Sequence, residues 1–324
     1  FSRWNLIKTY EYYRELIKNS RNTYFYEVVK THRIKYFYHI MICLITKSSF
    51  KKLLRNSSIK VLVGTSSNFP FDYGLYVAAR EEGITSLIIQ HGVIDFQYIP
   101  FNADYYCAWS AADKAIILEY DKNNDKIKIM GSPYMNRFRK SIHNFNDCKL
   151  NATNNKMQCL ILSHTHVDYI YPDVFEEYKK ILTNLDYDLF DWSVKLHPAE
   201  TGIFYKNYKI NVLPKDISLI TALGQADVVF TLWSTSAYEA MIMNKPVIVM
   251  DFHNSIREYA KWPEKGGGIY LSTLRNGMID LMNRQFIKNV LHNQETFTRN
   301  FIISEKQPEV EIAKFINELV KAKR

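Results

Sequence analysis

Cysteine is scarce in this 324-residue chain. Cys43, Cys107, Cys148 and Cys159 stand far apart with no CxxC spacing, which argues against a disulfide framework or a thiolate metal site and for reduced cysteines that fill a core. Long apolar runs are also missing. The longest, near Tyr36–Thr46, has about eleven residues and is interrupted by His39, whereas a bilayer span needs roughly 20. No Lys/Arg run, zinc-finger spacing or RNP-like aromatic motif occurs, so nucleic acid is not an expected partner despite the net charge of +9. That charge points instead to nucleotides, anionic phospholipid surfaces or acidic glycans. No signal-peptide pattern is visible from Phe1 onward, and the expected location is cytoplasmic, peripheral at the inner membrane face.

What is present reads as a globular, core-forming protein, with 47% hydrophobic and 23% charged residues. The length predicts two domains. Residues 1–57 contain neither Gly nor Pro and read as helical and basic. From Ile59 strands and helices alternate. IKVLVGTSS, TSLIIQHG, ADYYCAWS and KIKIMGSP read as strands, with FDYGLYVAAREEG and AADKAIILEY as helices between them. The Asn-rich, aperiodic stretch 141–156 reads as a linker between domains at 1–140 and 157–324. A second series follows, with strands in MQCLILSHT, DWSVKLHP, ADVVFTLW and KPVIVMDF. Two such series imply two parallel α/β sheets covered on both faces.

In open parallel sheets, ligands bind beyond the carboxyl ends of the strands. Those ends here carry Thr65 and Ser66, His91 and Gly92, Gly131 and Ser132, Ser163 and His164, His197 and Pro198, and Ser234, Thr235 and Ser236. In the last of these a buried strand meets a Ser/Thr cluster and then a helix, an arrangement suited to phosphate. The same residues, Ser236 to Glu239, also fit a capping box that needs no ligand.

KLHP, then strand–Ser-Thr-Ser–helix with Glu239, then NKPVIVMDF, resembles the donor half of GT-B glycosyltransferases of bacterial surface-polysaccharide assembly. That group includes GT-B sialyltransferases, Kdo transferases and CDP-glycerol glycerophosphotransferases. IIQHGVIDFQYIPFNADYYCAWS and KIMGSPYMNRF resemble their other half, so the likeness runs over Val61–Phe252. It implies a GT-B α/β fold, with two doubly wound Rossmann-like domains facing a cleft. It implies a nucleotide-activated donor, most simply CMP-linked, and a surface-glycan or lipid-linked acceptor, with neither cofactor nor metal. His197 and Pro198 would meet the nucleotide, Ser234, Thr235 and Ser236 its phosphate, and Glu239 the ribose. Ser163 and His164 would complete the donor side, and Thr65, Ser66, Gly92, Gly131 and Ser132 the acceptor side.

An inverting transfer needs a base on the acceptor hydroxyl. His91 is the first candidate; Asp95 and Asp72 are alternatives. Lys195, two positions from His197 and on the same strand face, is a further phosphate candidate. The DxD-like Asp186-Tyr187-Asp188 lies in a polar turn away from the strand ends and reads as coincidence. Gly266-Gly267-Gly268 lacks a following GK[ST] and is no Walker loop. Polyol-phosphate transfer from a CDP-alcohol, nucleotide-sugar epimerisation and a non-catalytic envelope-assembly subunit are the alternative functions.

Overall fold

The computed structural model describes residues 3–20, 33–67, 69–94, 101–120, 124–142, 156–164, 172–251, 257, 260–274, 277–302 and 307–322. They divide into two compact units. The first comprises Phe1–Ala108, Lys114–Met130 and Glu309–Arg324; the second comprises Trp109–Asp113 and Gly131–Pro308. The division differs from 1–140 and 157–324 at both ends. The main segment of the second unit begins at Gly131, before the expected boundary, and the unit also takes Trp109–Asp113. The terminal helix joins the first unit because Ile312 is buried with Leu87 and Cys107, and Phe315 meets Tyr105 edge to face at 5.3 Å. Of the expected linker 141–156, residues 143–155 lie outside the described residues, and 141–142 end a helix.

The first unit opens with helices α1 (Arg3–Ser20) and α2 (Arg33–Arg55). A four-stranded parallel sheet follows: β1 (Val61–Gly64), β2 (Thr85–Ile89), β3 (Tyr105–Ala108) and β4 (Ile127–Ile129). Its spatial order is the chain order, so it winds in one direction. Helices α3 (Pro70–Glu81) and α4 (Ala111–Tyr120) make crossovers. Gly74 of α3 lets α2 approach closely, since a Cβ there would sit 2.6 Å from the Cys43 carbonyl oxygen. Gly83 ends α3 in the left-handed region at φ 69°.

The second unit holds α5 (Pro133–Ile142), α6 (Pro172–Thr183), α7 (Leu219–Gln225), α8 (Ser236–Ile242) and α9 (Arg284–Phe297); α10 (Pro308–Lys321) is the terminal helix. Its parallel sheet has the order β10-β9-β8-β5-β6-β7. These strands are β5 (Met157–Leu162), β6 (Phe190–Lys195), β7 (Asn211–Val212), β8 (Val228–Thr231), β9 (Val247–Val249) and β10 (Ile269–Tyr270). This sheet is doubly wound: the chain leaves β5 toward β6 and β7, then returns to β8 on the other side. Central strands β8 and β9 are buried at every position, the pattern of a sheet covered on both faces. Each fully buried Phe, Ile or Val there contributes about 1.5–3 kcal/mol.

The two sheets share one local device. In the first, Asp104, the residue before β3, accepts the Ser86 N–H and hydroxyl, both at 2.8 Å. In the second, Asp227, the residue before β8, accepts the Gln158 N–H at 2.8 Å. Each Ala-Asp pair thus ties the start of one strand to its neighbour and fixes the level at which the strands end.

Candidate functional site

In the first unit the polar residues follow β1 and β2. The His91 Nδ1 lies 2.7 Å from the Thr65 carbonyl oxygen. A carbonyl only accepts, so Nδ1 carries the proton and Nε2 keeps the lone pair. The ring is thereby held in the tautomer of a base, on an exposed residue. Beneath it Gln90, 3% exposed, donates to the Gly92 carbonyl at 2.9 Å and fixes that turn. Ser67 is buried and accepts the Asn102 N–H at 3.1 Å. A Cβ on Gly64 would run into the Tyr76 hydroxyl, so the β1 turn needs glycine. Asp72 is half-buried at the start of α3, and burial raises its carboxyl above the ordinary value. Asp95 lies outside the described residues.

In the second unit β5 and β8 are the neighbours at the winding reversal, the position where doubly wound sheets leave a crevice. At the end of β5 the Ser163 hydroxyl bonds Glu200 and accepts the His197 N–H at 2.7 Å. Glu200 accepts that same N–H at 3.0 Å and donates its own N–H to the His197 carbonyl at 2.9 Å. The His-Pro-Ala-Glu turn is therefore pinned to the neighbouring strand. Ala199 N–H donates to His197 Nδ1 at 3.2 Å, which leaves Nε2–H as the donor of an exposed ring. Lys195 reaches the Lys215 carbonyl at 3.4 Å, so its ammonium is drawn toward the loop after β7. His164 packs against Trp233, ring centroids 4.5 Å apart, which brings the ends of β5 and β8 together.

After β8 the Thr231 hydroxyl accepts the Ser234 N–H at 3.2 Å, and Ser234 Oγ accepts the Ser236 N–H at 3.3 Å. The Ala237 and Tyr238 amides donate to the Ser234 and Thr235 carbonyls at 3.0 and 2.9 Å. The Ser234, Ser236, Ala237 and Tyr238 amides are thus engaged within the turn. The capping-box alternative does not form. Thr235 is the N-cap, with no side-chain cap bond, and Glu239 points elsewhere. Glu239 is 4% exposed, its Oε1 accepts the Tyr134 hydroxyl at 2.7 Å, and burial pushes its carboxyl up to about 7.

Other expected residues have structural duties. Gly131 has φ 81°, and Ser132 is 1% exposed with its hydroxyl accepting the Met135 N–H at 3.2 Å, so this pair turns the chain and caps α5. Asp186 accepts the Asp188 and Leu189 N–H groups at 2.8 and 3.0 Å, an Asx turn. Gly268, at φ 139°, lies against Trp262 and the Val247 carbonyl and leads the chain into β10. Among the described residues no group of three His, Cys, Asp or Glu side chains is placed to hold a metal ion. A groove of about 430 Å³ does open in this unit, lined by Gln158, Asp191, Lys209 and Asn211 among others. It includes the first residues of β6 and β7 and Tyr187 of the DxD-like turn, and none of the expected catalytic, donor or acceptor residues.

Glu200, Trp233 and Tyr134 were not anticipated. Glu200 lies three residues beyond His197 in an acidic position that reads as solvated surface, and the Tyr134 contact spans 105 residues.

No family model matches the sequence, and no curated protein does. Solved structures do match in fold. The UDP-GlcNAc 2-epimerase of Methanocaldococcus jannaschii, in complex with UDP-GlcNAc and UDP, superposes with TM-score 0.55 at 15% identity, over 86% of this chain and 82% of that one. Staphylococcus aureus MnaA with UDP gives 0.55 at 13%, over 86% and 81%. The Neisseria meningitidis UDP-GlcNAc 2-epimerase bound to UDP-GlcNAc gives 0.51 at 13%, over 86% and 82%. With two parallel α/β sheets and these neighbours, the chain has a GT-B-type fold.

Proposed function

We propose that this chain is a glycosyltransferase that moves a sugar from a nucleotide-activated donor to a surface-glycan or lipid-linked acceptor. One observation carries the reading: polar groups converge where the second sheet reverses its winding. There Ser163 holds the His197 turn, His164 meets Trp233 across adjacent strand ends, and the hydroxyl cluster of Ser234, Thr235 and Ser236 leads into a helix with a buried carboxyl at Glu239.

In this reading His197 Nε2–H and the Ser/Thr hydroxyls meet the donor phosphate. Pro198 and His164 border the nucleotide, and Glu239 takes the ribose. His91 Nε2 removes the acceptor hydroxyl proton. The freed oxygen bonds the anomeric carbon as the carbon–phosphate-oxygen bond breaks, and the nucleotide leaves with the electron pair. Thr65 orients His91 through its carbonyl; Ser66 and Gly92 flank it, and Asp72 and Asp95 remain the alternative bases. The likeness to the surface-polysaccharide transferases favours a CMP-linked donor. The neighbours' bound UDP makes uridine nucleotides the necessary comparison.

The test is product analysis with candidate nucleotide sugars and a lipid-linked or oligosaccharide acceptor. Transfer should require acceptor, and His91→Asn should slow it by about 10²–10⁴-fold while nucleotide binding persists. The second reading, epimerisation of a nucleotide sugar, is favoured by the names of the structural neighbours. It predicts an epimer in the absence of acceptor, and that product would displace the transferase reading.

A further inference from the structure

The two oxygens of the Glu239 carboxyl are treated differently. Oε1 accepts the Tyr134 hydroxyl at 2.7 Å. Oε2 is shielded from solvent and has no hydrogen-bond partner. Among the described residues only one other buried side-chain atom, the Trp262 indole Nε1, shares that condition. Native interiors rarely leave a carboxylate oxygen so, because the desolvation is not repaid by a donor. Water does not reach Oε2, and neither does a ligand hydroxyl unless something covering the carboxyl moves.

The two partners differ in freedom. Glu239 is 4% exposed and lies in α8, whose residues 237–241 are all buried. Tyr134 is 50% exposed, the second residue of α5, with its ring beside Phe138 at 6.4 Å. Rotation about its χ1 removes the phenol without opening the core. The acceptor is fixed, and the donor is the movable member.

Resting on the reading that Glu239 meets the ribose of the donor, we propose that Tyr134 is a specificity-determining gate. Its phenol holds the place of a ribose hydroxyl in the empty protein and yields it to the vicinal diol of an arriving nucleotide. The exchange replaces one donor with two, so both carboxyl oxygens gain partners. A 2′-deoxynucleotide exchanges one donor for one, gains nothing, and leaves an oxygen unpaired. The gate therefore selects ribonucleotides by hydrogen-bond count, the kind of discrimination a site built around hydroxyls achieves best. It also lowers the apparent affinity for the correct ligand, because the binding-competent state is the one with the phenol displaced.

A gate and a positioning contact predict opposite signs. Wild type, Tyr134→Phe, Tyr134→Leu and Glu239→Gln would be titrated calorimetrically at pH 8.5 with UDP and CMP and their 2′-deoxy forms, after circular dichroism has confirmed folding. The gate predicts that both Tyr134 variants bind the ribonucleotide about three- to tenfold more tightly than wild type. Glu239→Gln should bind it about tenfold more weakly, with the ribo-over-deoxy preference lost. Tyr134 variants that bind equally or more weakly overturn the gate. Glu239→Gln binding like wild type overturns the ribose contact and the gate with it. A wild-type protein that binds neither nucleotide overturns the donor-site reading itself.

Discussion

Glu239 has its ordinary value of 4.5 raised to about 7 by burial, a shift that the Tyr134 hydrogen bond opposes. Its sign sets two expectations. A carboxyl whose folded value lies above its unfolded one contributes stability that is fully present below about 4.5 and is lost as pH rises through about 7. Unliganded wild type should therefore lose stability relative to Glu239→Gln between those limits. A ribose hydroxyl donates to the carboxylate, so nucleotide affinity should rise with pH through about 7 and level off above it. Calorimetry across pH 5.5–8.5 checks this; a flat wild-type profile, or a Glu239→Gln profile with the same rise, contradicts it. The placement of His197, Ser163 and Ser234–Ser236 at the carboxyl ends of parallel strands was legible, because each follows a short buried run that reads as a strand. Ser132 looked the same in the sequence and proved to be a helix cap, since a Ser three residues before an amide fits either role. Tyr134 was not legible, because its partner is brought to it only by the packing of α5 on α8.

At the scale of elements, the buried runs VVF and VIV and the alternation in FDWSVK announce strands that long periodic stretches make hard to mistake. The two-residue strands β7 and β10 are too short to carry a period and take their conformation from the neighbours they pair with. The helix α9 contributes something no pattern shows. Gln294, 1% exposed, accepts the Val247 N–H and donates to the Lys245 carbonyl, both at 2.8 Å, and so serves the start of β9 as another strand would. Gln294→Leu keeps the apolar contacts and orphans both groups, and should lower unfolding free energy by about 1–3 kcal/mol in urea denaturation. A loss below a few tenths would show that β9 does not depend on the contact.

At the scale of the molecule, charge is segregated by sequence. Residues 1–57 carry twelve basic and three acidic side chains, and the remaining 267 residues carry 30 of each, so the whole net charge of +9 lies in the first 57 residues. Lys47, Lys51 and Arg55 are paired with Glu81 and Glu82 of the α3 end, while α1 and α2 expose Leu6, Ile7, Tyr10, Tyr12, Ile34 and Tyr38. Among the described residues no helix is long and apolar enough to cross a membrane. Basic helices with exposed aromatics fit peripheral contact with an anionic surface, where a lipid-linked acceptor would be met. The protein should float with vesicles containing anionic lipid and remain in the soluble fraction with neutral ones, and added salt should release it. Failure to float with either contradicts the contact. The change of character at Ile59 was visible in the sequence as the end of a Gly- and Pro-free stretch. The return of α10 to the first unit does not follow from spacing, because an amphipathic helix does not say which core receives its apolar face; only the likeness to GT-B enzymes suggested it.

In the proposed function the second unit binds a nucleotide at the winding reversal of its sheet. The most direct measurement is thermal unfolding of the purified chain with CMP, CDP, UMP, UDP and GDP, in wild type and in the His197→Ala, Ser236→Ala double variant. Selective stabilisation by a pyrimidine nucleotide, lost in the variant, is the predicted result. No shift with any of the five, or a shift that the variant retains in full, would contradict it.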